Sequence, residues 1–270
     1  MDKETRTLIQ HATQAARTLL EAEVAAQLEG VYDIRPDGTV AAHAGQHLAE
    51  DQEALRVRKK LVEALAHLRA ERGSDREAVA ALVRECAFTT LNRFVALKLL
   101  EARKLVKPSV SQGLESSGFR EFMGLAEGLK VQPDAAYRLY LECLFDELGR
   151  EVRVLFDRRD PASLVWPRRP ALLALLETLN DPKLATVWPE DETLGWVYQF
   201  FNSGEERALM RDTKRGGSAA PRNRRELAVR NQFFTPRYVV RFLVDNTLGR
   251  MWREMAGEGT TLLGQCAYFV

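Results

Sequence analysis

The residues with the most suggestive chemistry are Phe234, Thr235 and Pro236, inside Asn231-Gln232-Phe233-Phe234-Thr235-Pro236-Arg237-Tyr238-Val239-Val240. Threonine followed by proline predicts a helix start. The hydroxyl accepts from backbone N–H groups that lack helical partners, and proline suits the first helical position, where no donor is needed. Such amides, at the positive end of the helix dipole, suit a carboxylate. Val239, Val240, Phe242, Leu243 and Val244 make the following helix apolar on most sides, so it is expected to pack tightly and hold its N-terminus still. Thr-Pro also opens many helices that bind nothing, so the pair alone does not decide function.

A second group lies just upstream. Between positions 211 and 230, seven basic residues (Arg211, Lys214, Arg215, Arg222, Arg224, Arg225, Arg230) face only Asp212 and Glu226, around a Gly-Gly-Ser hinge at 216–218. This composition suits either a solvated loop or a clamp on DNA phosphates, the latter giving salt-sensitive, sequence-blind affinity. His43 and His47, one helical turn apart with Asp51 a turn further, are a weaker metal candidate. No glutamate follows His43 as a hydrolytic base, and no outside ligand stands out. No metal is expected, and no serine–histidine or cysteine–histidine arrangement suggests a hydrolase.

The elements that must position these residues are mostly helical. Leu8, Ile9, Ala12, Ala16, Leu19, Leu20 and Val24 predict an amphipathic helix over 4–28, with Gly30 as a stop. Two β-prone pieces flank Pro36-Asp37-Gly38, predicting one short β-hairpin at 31–40. A second helix is expected over 47–72. Ser74, with Glu77 three residues on, then caps a third that runs to about Val106; its Phe88, Leu91, Phe94, Val95, Leu97, Leu99 and Leu100 make it central to a bundle. The Ser/Gly-rich stretch 108–118 reads as a loop, 134–156 as one long helix, and 171–179 and 192–202 as shorter ones. Helix resumes near Arg222. The fold class is mainly α, a multi-helix N-terminal bundle with one hairpin. Its expected parts are a helical domain at 1–156, a connector with the basic loop at 157–221, and an entry helix at 222–270.

Composition sets the remaining bounds. The chain has 270 residues, 46% hydrophobic and 29% charged, enough to bury a real core, and its net charge of +1 says nothing about an acidic partner. Cys86, Cys143 and Cys266 lack metal-ligand spacing and are expected as buried free thiols in a reducing cytosol. The polar start and the lack of a long apolar run argue against a signal peptide or membrane helix, giving a cytoplasmic expectation. Asn92 and Arg93 are expected as a buried polar pair that fixes packing, and Trp166, Trp188, Trp196 and Trp252 as core or subdomain-packing residues.

Phe233-Phe234-Thr235-Pro236-Arg237-Tyr238-Val239-Val240 resembles the segment that opens the catalytic domain of N6-adenine DNA methyltransferases. Leu194-Gly195-Trp196-Val197-Tyr198-Gln199 is similar to an element upstream of it in that family. Asn92-Arg93 followed by Glu101-Ala102-Arg103 resembles a helix of the large restriction-modification, BREX and DISARM methylases, and the 31–40 hairpin fits the DISARM-like branch. The resemblance implies S-adenosylmethionine as cofactor, with Phe234, Thr235 and Pro236 facing its methionine end. It also implies duplex DNA as partner (contacted through Lys214, Arg215, Arg222, Arg224, Arg225 and Arg230) and other defence-system subunits.

The sequence departs from that family where methyl transfer occurs. It has no Asn-Pro-Pro-Tyr, and its Asp160-Pro161 and Asp181-Pro182 lead into no Gly-rich turn. Such a turn lets backbone approach the cofactor, and the tetrapeptide holds a flipped adenine. Nothing after Trp252 alternates strand and helix, so the Rossmann-like catalytic sheet is absent. With an apolar stretch ending at Val270, the chain reads as the N-terminal part of a longer enzyme, inactive alone. The alternative is a non-catalytic helical module that binds DNA or a partner subunit.

Overall fold

The structure, a computed structural model, describes residues 2–42, 45, 48, 50–71, 74–125, 127–202, 227, 235–257 and 259–270. It divides into two compact units, Met1–Phe201 and Asn202–Val270. Among the described residues the architecture is helical, without a named strand.

In the first unit, helix α1 (Lys3–Gly30) is capped by Asp2, whose carboxylate accepts the Thr5 N–H at 2.7 Å. Its buried residues Ile9, Thr13, Ala16, Leu20, Val24, Gln27 and Leu28 follow the three-and-four spacing of one helix face. Gly30 is its last residue rather than a stop beyond it. Helix α2 (Gln52–Glu71) buries Val57, Leu61, Leu65 and Leu68 by the same rule. The Ser74 hydroxyl accepts the Glu77 N–H at 3.2 Å and starts α3 (Asp75–Ala102), as the capping spacing predicts.

Every residue from Thr90 to Leu99 is buried, so this part of α3 is enclosed on all sides, the central position its apolar sequence predicts. Helices α1 and α2 pack on it. It ends at Ala102, short of the expected Val106, because the backbone turns left-handed at Lys104 (φ 58°).

The hairpin reduces to one antiparallel bridge, Ile34 to Val40. Gly38 supplies a positive φ of 91° at its turn, and Ile34 is 1% exposed. Arg58 of α2 donates to the Tyr32 carbonyl at 3.0 Å and the Ala41 carbonyl at 2.6 Å, and Arg69 to the Gly38 carbonyl. These bonds to another element satisfy carbonyls that a two-piece ladder this short leaves open.

Beyond α3 come α4 (Ser117–Leu125), α5 (Pro133–Leu148), α6 (Arg153–Phe156), α7 (Arg169–Leu179) and α8 (Thr193–Phe201). The single helix expected over 134–156 is two. Helix α5 closes where the Gly149 N–H bonds the Phe145 carbonyl at 2.8 Å, and α6 folds back so that Phe156 stacks on Phe145 at 5.6 Å. Stacking two large rings outweighs continuing the helix into solvent.

The expected division after Phe156 falls inside the first unit. Arg93 donates to the carbonyls of Leu155 and Asp157 and to the Ser163 hydroxyl, while Gln27 donates to the Trp166 carbonyl at 2.8 Å. Arg168 grips the Glu23 carboxylate with Nε at 2.8 Å and Nη2 at 2.9 Å. Residues 157–168 are thereby bonded to α1 and α3, and Arg93 is the buried, packing-fixing residue its sequence position predicts. The Asn92 Oδ1 is buried without a hydrogen bond, so the two do not form a pair.

The second unit contains α9 (Arg237–Val244), a π-helical turn at Asp245–Gly249, and α10 (Arg250–Ala256). Of the cysteines only Cys86 is buried; Cys143 is exposed and Cys266 intermediate. No described helix is long and apolar enough to cross a membrane.

Candidate cofactor-entry turn and its support

Thr235 and Pro236 are both exposed, directly ahead of α9. The cap sits one residue later than the sequence predicts. Pro236 (φ −58°, ψ 144°) holds the N-cap position, and no side chain caps the helix. The Pro236 carbonyl accepts from Val239 at 3.0 Å and Val240 at 3.2 Å. Proline offers no side-chain acceptor, so its own side chain caps none of the first-turn amides. Thr235, with its hydroxyl not committed to a cap, stands beside them.

The expected tight packing of α9 does not occur within its unit. No α9 residue is buried, and Tyr238, Phe242 and Leu243 are 61%, 46% and 53% exposed. Short α10 and the tail that follows it leave these side chains exposed. That tail is instead fixed on the π-turn, where Asp245 accepts the Tyr268 N–H and Asn246 accepts the Val270 N–H, each at 2.9 Å. Val244, Leu248, Met251, Trp252 and Leu262 line an apolar concavity of about 450 Å³. Trp252, expected in a core, is 45% exposed and donates to the Thr260 hydroxyl at 2.8 Å.

Phe234 and the predicted DNA contacts Lys214, Arg215, Arg222, Arg224, Arg225 and Arg230 lie outside the described residues, as does the helix expected near Arg222 apart from Leu227. His43 and His47 lie outside them too. Asp51, their proposed third ligand, accepts the Ala54 N–H at 2.9 Å, and no metal-binding cluster forms among the described residues.

The family-like residues of α3 prove to be a polar clamp inside the first unit. The Glu101 carboxylate accepts the backbone N–H groups of Ser109, Val110 and Ser111 at 2.7, 2.5 and 3.0 Å, and both serine hydroxyls. Lys98 donates to Ser111 at 3.0 Å and to Asn180 at 2.7 Å; Asn180 in turn donates to the Val110 carbonyl at 2.9 Å. Burial lowers the Lys98 and Arg93 pKa values and raises that of Tyr137, whose hydroxyl donates to the Ser109 carbonyl at 2.8 Å. The loop 108–118 is thus held by convergent side chains, a role that its Ser/Gly composition does not reveal. Arg103 ends the motif with a 3.0 Å ion pair to Asp191.

Sequence comparison makes this helical chain a distant relative of adenine-specific methyltransferases. It is 25% identical over 195 aligned residues to adenine-specific methyltransferase BrxX of Escherichia coli O9:H4 (strain HS), covering 64% of this chain and 16% of that protein. It is 25% identical over 283 aligned positions to adenine-specific methyltransferase PglX of Lacticaseibacillus casei (strain Zhang), covering 89% of this chain and 22% of the relative. The chain therefore spans less than a quarter of the length of either relative. No protein-family model and no solved structure matches it.

Proposed function

We propose that this chain is the helical N-terminal part of a cytoplasmic, site-specific DNA adenine N6-methyltransferase that uses S-adenosylmethionine, acting in phage defence or restriction-modification. The observation that carries the reading is the Thr235-Pro236 turn, exposed at the start of α9 within a segment resembling the opening of such catalytic domains. The distant similarity to two adenine-specific methyltransferases supports it. Phe234, Thr235 and Pro236 would border the cofactor's methionine end, with the helix N-terminus near its carboxylate. Lys214, Arg215, Arg222, Arg224, Arg225 and Arg230 would grip DNA phosphates, and defence-system subunits would be further partners.

The cofactor supplies the electrophilic methyl group; this chain supplies binding and orientation. Without a Gly-rich cofactor turn and Asn-Pro-Pro-Tyr, it is inactive alone. The test joins it to a segment carrying those two motifs from a similar methyltransferase and follows transfer of labelled methyl groups to adenine. Transfer by the joined protein and none by the isolated chain is expected. A joined protein that folds, binds S-adenosylmethionine and still methylates no adenine overturns the reading in favour of a non-catalytic module.

A further inference from the structure

The first unit contains a half-open cleft of about 650 Å³ between α2 on one side and α5, α6 and residues 157–166 on the other. Eight cationic side chains line it against four anionic ones. All four acids are already engaged. Arg158 holds Glu142 at 2.6 Å and Asp146 at 2.5 Å; Arg153 and Arg159 share Asp157 at 3.4 and 3.2 Å; and Glu53 lies 4.0 Å from Arg56. Two guanidinium groups on one carboxylate leave a net positive charge, and Lys60 and Arg150 have no carboxylate partner among the described residues. The cations remain reachable, with the Arg153 and Arg159 side chains 72% and 74% exposed.

The aromatic floor narrows the choice of ligand. Phe145 is covered by the Arg93 guanidinium at 5.2 Å and stacked by Phe156, and Trp166 lies under Arg138 at 5.6 Å and beside Phe94. Phe145 and Phe156 are 2% and 3% exposed and Trp166 already carries the Arg138 guanidinium, so the floor is poorly suited to stacking an unpaired base, the feature on which single-strand and free-nucleotide sites depend. What the cleft offers is cations on two walls, which suits repeated phosphates.

We propose that this cleft docks the phosphate backbone of duplex DNA through Lys60, Arg150, Arg153 and Arg159, giving a sequence-independent grip separate from the 211–230 loop. The choice of DNA as the polyanion rests on the methyltransferase reading; the charge and the occupied ring faces do not. In that role the helical region anchors the duplex, while base reading falls to other parts of the enzyme.

The test is fluorescence anisotropy of a labelled duplex of about 25 base pairs, titrated with the whole chain between about 50 and 200 mM salt. The variant K60A/R150A/R153A/R159A should bind at least about tenfold more weakly, with a log–log salt slope flatter by about 3 to 4, because each lost phosphate contact removes about 0.9. Loss of the outlying cations in R120A/K130A should change neither. Should the quadruple variant melt early by circular dichroism, Arg150→Glu, at an exposed turn, replaces it and should weaken binding in the same direction. Unchanged affinity and slope in the cleft variants overturn the proposal, as does tight binding of tripolyphosphate or ATP without duplex binding. Adenine methylation is scored separately by the joined protein, so the cleft can fail while the methyltransferase reading stands, and the reverse.

Discussion

The Glu101 carboxylate takes both the backbone N–H and the hydroxyl of Ser109 on the same oxygen, each at 2.7 Å. Ser109 is fully buried, so these donors have no water to fall back on. One residue at the end of the central helix thereby shapes the loop leading to α4.

Replacing Glu101 with Ala should therefore destabilise the first unit by about 3 kcal/mol, the cost of stranding several buried donors of a charged acceptor. Glu101→Gln should cost less, since one carbonyl oxygen remains. Urea unfolding measures both. Amide exchange at 109–111 should quicken before global unfolding in either variant; equal exchange in variant and wild type would remove the clamp role.

Arg93→Lys should cost about 2 kcal/mol although charge is kept. A lysine cannot reach the Leu155 and Asp157 carbonyls and the Ser163 hydroxyl together, as the planar guanidinium does. A melting temperature within a degree or so of wild type would contradict this geometry.

Gly38→Ala should destabilise the 31–40 turn by about 2 kcal/mol. The position has φ 91°, and a Cβ there would meet the Asp75 Cβ at 2.5 Å. Thermal melting reads the loss, and Gly38→Asn, which tolerates positive φ but meets the same contact, separates strain from collision.

Acid should weaken the first unit from about pH 4 downward. Hydrogen bonds from Arg159 hold the Asp157 pKa at about 2 against an ordinary 3.8. At Glu23, burial alone would raise the pKa, but the Arg168 bonds outweigh it and lower it. A depressed carboxylate stabilises the fold above its unfolded pKa, and that contribution is lost as pH falls through the folded value. Melting temperature against pH should fall between pH 4 and 2, and Asp157→Asn combined with Glu23→Gln should flatten the fall.

Thr235→Ala should leave stability within about 0.5 kcal/mol of wild type, because Thr235 caps nothing, whereas removing a true threonine cap costs about 1 kcal/mol. A loss of the larger size would restore the cap that the Thr-Pro spacing predicts.

The sequence by itself determined the local elements. Helix spacing in α1 and α2, the Ser74 cap and the ten-residue buried run of α3 follow from periodicity and side-chain type within a few turns, and motif likeness alone pointed to adenine methyltransferases. Tertiary structure decided what depends on residues distant along the chain. Phe156 meeting Phe145 splits one expected helix in two, Arg93 draws residues 155–163 into the first unit, and Lys60 of α2 joins Arg150 and Arg159 at one cleft. Periodicity records which face of a helix is apolar, but not which surface covers it. For that reason the exposure of α9 and the one-residue displacement of its cap could be read only from the folded chain.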